Sequence, residues 1–72
     1  MIRYRPIKMR HPIAGYTYGI IGEEGSGDEW SAVAIVPDVC CDWLLTMRLA
    51  EKCTKGQLSP MQLLDVVTDS LP

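Results

Sequence analysis

Trp30-Ser31-Ala32-Val33-Ala34-Ile35-Val36-Pro37-Asp38 is the stretch whose reading decides the fold. From Trp30 to Val36 it is short, apolar and rich in β-branched residues, the pattern of a strand. Successive side chains of a strand point to opposite faces. Trp30, Ala32, Ala34 and Val36 are therefore expected on one face, and Ser31, Val33 and Ile35 on the other. Both faces are apolar, which is unusual for a sheet with one side in water. Pro37 ends the strand, and Asp38 reads as the N-cap of a first helix, its carboxylate accepting from free first-turn amides. That helix is expected to run to Thr54 or Lys55, with Gly56 as a left-handed stop. On a helical wheel Val39, Trp43, Met47, Ala50 and Cys53 fall together, with Cys40 at the margin and Cys41, Arg48 and Lys52 opposite.

Downstream, Ser59-Pro60-Met61-Gln62 has the form of a capping box, with Ser59 as N-cap and Pro60 at the first helical position. Leu58 and Leu63 are spaced for a hydrophobic staple across it. Leu64, Val67 and Leu71, flanked by Leu63, form the apolar side of this second helix; Gln62, Asp65 and Asp69 form the solvated one. The connection between the helices is short enough to make them an αα-hairpin.

Upstream, Ile13 to Ile21 reads as a strand with Tyr16, Tyr18 and Ile20 on one face and Gly15, Thr17 and Gly19 on the other. Ile2 to Met9 alternates loosely around Pro6, which cannot donate to a sheet ladder, so it is an edge strand or an extended arm. His11-Pro12 breaks it. Gly22 to Glu29 is polar and glycine-rich, and is read as a hairpin loop. The fold class is α+β: a small antiparallel sheet of two or three strands packed against a C-terminal αα-hairpin, in the order β-β-β-α-α. Residues 1–72 form one domain, with 1–12 as arm or edge strand.

Composition narrows the function classes. Apolar residues make up 47% of the chain and charged ones 22%, the balance of a folded globular protein. The longest apolar run, Ala32 to Val36, is too short to span a bilayer. Met1 to Pro6 carries no apolar core of a secretory leader, so the expected setting is cytoplasmic. Three cysteines form no disulfide framework. A single histidine, His11, leaves no nucleophile–base–acid set to assemble. The glycine-rich loop lacks the lysine of a phosphate-binding loop, and its acids lack the EF-hand ligand order. Cys40, Cys41, Cys53 and His11 are metal-ligand types at no familiar zinc spacing. Neither catalysis, a metal nor a cofactor is expected.

Tyr18-Gly19-Ile20 in a strand, a helix ending at Cys53, then Leu58-Ser59-Pro60 and Leu64-Asp65-Val66-Val67 with Asp69 resemble a family of small uncharacterised proteins from Firmicutes. The resemblance covers most of the chain from Thr17 onward. It implies a compact strand-then-helix domain in the cytoplasm of a bacterium, with no activity attached. Members of that family often carry a histidine where this chain has Gln62.

Three sets of residues are candidates for function. Two helices cover only one face of a small sheet, so apolar strand residues should remain uncovered; Tyr16, Tyr18, Trp30, Val33 and Ile35 are the expected protein interface. That makes the leading reading a small non-enzymatic protein-interaction domain, binding a protein partner or forming a homodimer. Arg3, Arg5, Lys8 and Arg10 precede every acidic residue and supply the alternative, a nucleic-acid-associated regulator. Cys41, expected in the first turn of a helix and followed by Arg48 and Lys52, is a candidate reactive thiol.

Overall fold

A computed structural model describes residues 1–70. Three strands, β1 (Ile2–His11), β2 (Gly15–Ser26) and β3 (Glu29–Cys40), form an antiparallel meander in the order β1-β2-β3. Two helices follow, α1 (Trp43–Lys55) and α2 (Leu63–Ser70), the second entered through a short 3-10 turn at Pro60–Gln62. This is the expected β-β-β-α-α order. Leu71, expected on the apolar side of α2, lies outside the described residues.

β1 is an edge strand, not an arm. It pairs with β2 without interruption from Ile2 opposite Glu24 to His11 opposite Gly15. The turn after it is held by the His11 ring, whose Nδ1 accepts from the amides of Ile13 and Ala14. The expected loop at Gly22–Glu29 is smaller than its composition suggested. β2 continues to Ser26, and only Gly27 and Asp28 turn the chain. Gly22 is a strand residue because its missing side chain makes room for Tyr4: a Cβ there would stand 2.6 Å from the tyrosine ring.

β3 also outruns its expected end. Pro37 and Asp38 lie inside the strand, and Asp38 has a φ of 51°, the left-handed region that aspartate tolerates better than most residues. The N-cap of α1 is Asp42 instead, its Oδ1 accepting from Leu45 N–H at 3.1 Å. Helix α1 therefore begins later than the sequence pattern placed it. Cys40 ends the strand, and Val39 is buried as a strand residue. The face α1 turns to the sheet is Thr46, Leu49, Ala50 and Cys53, while Trp43 is 46% exposed.

At the other end of α1 the left-handed residue is Gln57 (φ 48°), and Gly56 stays right-handed. Leu58 N–H reaches Cys53 O and Gln57 N–H reaches Thr54 O, so the helix closes as a Schellman motif with glutamine in the usual glycine position. Ser59 makes no side-chain cap bond, so the expected capping box does not form.

Both helices pack on the same side of the sheet, α1 over β1 and β2 and α2 against β3. The core between them is Tyr4, Ile20, Val36, Val39, Leu49, Ala50, Cys53, Leu63 and Val67, with Leu58 and Val66 packed against it. Leu64 stays 61% exposed. Among the described residues no helix is long and apolar enough to cross a membrane.

Candidate interaction surface

Because Tyr4, Ile20 and Val36 point into the helical layer, the residues alternating with them point away from it. β1 supplies Arg3, Arg5, Ile7 and Met9 to this second face, and β2 supplies Thr17, Gly19, Ile21 and Glu23. The register places Arg5, Ile21 and Ile35 in one row across the three strands. Neither helix packs on this row, although Ile21 is itself half-buried among its neighbours. Ile35 is 54% exposed and its neighbour Val33 43%.

β3 carries an irregularity that decides what joins them. Gly22 pairs with Ala34 but Glu23 pairs with Ala32, which leaves Val33 as an extra residue on β3. A bulge of this kind changes the alternation beyond it. Trp30, expected on the face of Ala34 and Val36, is turned to the helix-free face with Val33 and Ile35. There the Arg3 guanidinium lies 4.0 Å above its ring, and its indole N–H donates to Gly27 O at 2.7 Å.

One end of the face is charged and ordered. Glu23 Oε1 accepts from Arg5 Nε at 2.8 Å and from Arg3 Nε at 3.1 Å. The Arg5 hydrogen bond, joined by that of Arg3, holds the Glu23 carboxyl below its ordinary range against the opposing effect of burial. Two guanidiniums and one carboxylate leave this end with a formal charge of +1. At the opposite end Thr17 Oγ1 donates to Asp38 Oδ1, which fixes the left-handed aspartate beside the strand. The face thus runs from a cationic end through Ile7, Ile21, Val33 and Ile35 to an anionic one.

The five residues expected to form one interface divide. Trp30, Val33 and Ile35 lie on the helix-free face. Tyr16 and Tyr18 lie on the helix side, where the Tyr18 ring meets Trp43 edge-on at 5.1 Å and Lys8 Nζ stands 4.1 Å over the exposed Tyr16 ring. The basic segment divides in the same way. Arg3 and Arg5 are on the open face, while Lys8 and Arg10, opposite Tyr18 and Tyr16, are on the other. Read by composition, Glu23 belongs to a solvated loop; its pairing with both arginines follows only from the register Arg3 opposite Glu23. That signal was present in the sequence once the turn between β1 and β2 is placed at residues 12–14 and β2 is carried on to Ser26.

Cys41 is exposed but stands between the end of β3 and the N-cap Asp42, outside the helix. It does not occupy the first-turn position expected of it. Cys40 Sγ lies 3.2 Å from Thr46 Oγ1, and burial pushes the Cys53 thiol up. Among the described residues no group of three or more His, Cys, Asp or Glu side chains is placed to hold a metal ion. A cavity of about 320 Å³ opens between the helices, lined by Lys52, Cys53, Gly56, Leu58 and Val66.

A model for a family of unknown function, DUF6514, matches residues 2–72. No curated protein and no solved structure matches the chain.

Proposed function

We propose that this chain, which belongs to the DUF6514 family of unknown function, is a small non-enzymatic protein-interaction domain that binds through the helix-free face of its sheet. The observation that carries this reading is the exposure of Val33 and Ile35 beside Ile21, framed by Trp30 and two ordered arginines. Contiguous apolar surface with a polar frame is characteristic of protein interfaces, and Trp and Arg are the residues that most often anchor them. The partner is a protein, or a second copy of the chain. Three free cysteines suit a reducing compartment, in keeping with the cytoplasm of a bacterium. The nucleic-acid alternative draws no support from cations split between two faces, one pair of them already engaged by Glu23.

The test is a photo-crosslinking side chain placed at position 35 in the full chain, expressed in the native host, with position 51 on α1 as control. Discrete protein adducts from position 35, absent from position 51, are expected. Equal, diffuse labelling from both positions would remove the reading.

A further inference from the structure

We infer that the occupant of the helix-free face is a second copy of this chain, packed face to face with its strands reversed. The inference rests on the interaction reading above and names its partner. Along β2 the charged ends are centred on Glu23 and Thr17, roughly 20 Å apart at strand spacing, with Ile21 and Gly19 between them. A two-fold axis lying between two such faces, perpendicular to the strands and passing midway between Ile21 and Gly19, maps each end of one copy onto the other end of its mate. Arg3 and Arg5 of each copy then meet Asp38 of the other, and both ion contacts occur twice. The apolar side chains Ile7, Ile21, Val33 and Ile35, which lie between the charged ends, then face the corresponding apolar middle of the mate. A two-fold interface requires this self-complementarity, because the same surface must serve both partners. The arginines are prepared for such a contact. Each spends its Nε–H on Glu23, and among the described residues no side-chain hydrogen bond takes their terminal amino groups.

The edges of the sheet are less suited to association than its face. On β1, Gln57 bonds both N–H and C=O of Ile2, Thr54 bonds both groups of Tyr4, and Pro6, the next outward residue, has no N–H. On β3 the edge is interrupted by the extra Val33, by Pro37 and by the left-handed Asp38. These are devices that keep strands from pairing between molecules. The area agrees with a modest dimer. Three strands about 4.8 Å apart and about ten residues long give a face of roughly 500 Å², hence about 1,000 Å² for two copies, at the lower limit for a specific interface.

Sedimentation velocity and light scattering on the purified chain, from about 1 µM to about 1 mM, test the inference. A reversible monomer–dimer equilibrium is expected. Ile35→Asp, at an exposed position, should give monomer throughout while its circular dichroism matches that of the parent. Asp38→Asn keeps an acceptor for Thr17 and a residue suited to the left-handed backbone. It should weaken the dimer about tenfold at low salt, since two rim contacts lose their charge. Salt at about 0.5 M should weaken the parent to a similar degree and the variant hardly at all. A parent that stays monomeric over the whole range overturns the inference. So does a dimer indifferent to Ile35→Asp, which would be an edge pairing, or one indifferent to Asp38→Asn and salt, which would be packed in another orientation. A monomeric parent that still crosslinks from position 35 to a different protein ends the homodimer and leaves the interaction domain standing.

Discussion

The hydroxyl of Thr54 sits where a neighbouring strand would otherwise be: it accepts the Tyr4 amide proton at 2.8 Å and lies 3.1 Å from Tyr4 O. A helix side chain thereby satisfies both backbone groups on the free edge of β1, beside a tyrosine that is 5% exposed. Thr54→Val keeps the shape and removes both partners. Leaving backbone polar groups unsatisfied costs about 1–3 kcal/mol each when they are fully buried; these are half-buried, so a loss of about 1–2 kcal/mol is expected in urea unfolding. Thr54→Ser should retain most of the parent's stability. Equal stability of Thr54→Val and the parent would show that water replaces the contact at no cost.

Glu23 makes stability depend on acid. Its folded pKa is depressed, Arg5 being the largest cause. The stabilisation is therefore complete above the ordinary glutamate value of 4.5 and is lost as pH falls through the lower folded value. The parent should lose stability on acidification more steeply than Glu23→Gln in that window, with the two curves parallel at neutral pH. Thermal melts at matched ionic strength measure the slopes. Parallel curves on the acid side as well would remove the two-arginine pairing as a source of stability.

The alkaline side is governed by Cys53 and Tyr4. Burial raises the pKa of Cys53, and burial, with Cys53 second, raises that of Tyr4. Both groups ionise first in the unfolded chain, whose ordinary values are 9.0 for the thiol and 10.0 for the phenol. Stability is thus complete below these values and falls as pH rises through them. Cys53→Ala leaves a small cavity and lowers stability at neutral pH, but its decline between about pH 8 and about pH 10 should be shallower than the parent's. A decline of the same steepness would show that the thiol is not the group responsible.

Strand order, helix order and much of the core were legible because they are local: Ile20 and Val36 follow from strand alternation, Ala50, Cys53 and Val67 from helical spacing. What escaped was set by contacts distant in the chain. Gly22 and Glu23 resemble a loop until Tyr4 and the two arginines are brought beside them. The bulge at Val33 is a matter of register between strands, and it alone moves Trp30 to the open face. The split of Tyr16 and Tyr18 from Val33 and Ile35 follows from which side the helices choose. Five apolar residues could be named as candidates from the sequence, but not sorted by face.

The start of α1 is the sharpest disagreement between local pattern and tertiary structure. Asp38 has the chemistry of an N-cap, yet pairing of Cys40 with Tyr18 extends β3 past it, and the cap passes to Asp42. Asp42 Oδ1 takes the Leu45 amide, and its carbonyl oxygen takes both the amide and the hydroxyl of Thr46. Asp42→Ala removes the side-chain cap and should lower stability by about 1 kcal/mol, with a small loss of helical circular dichroism. Asp38→Asn, which preserves both the Thr17 contact and tolerance of positive φ, should stay within about 0.5 kcal/mol of the parent monomer. A helix that began at residue 39 would instead leave Asp42→Ala without effect, because residue 42 would then be an ordinary first-turn position, and equilibrium unfolding of the two variants separates these cases.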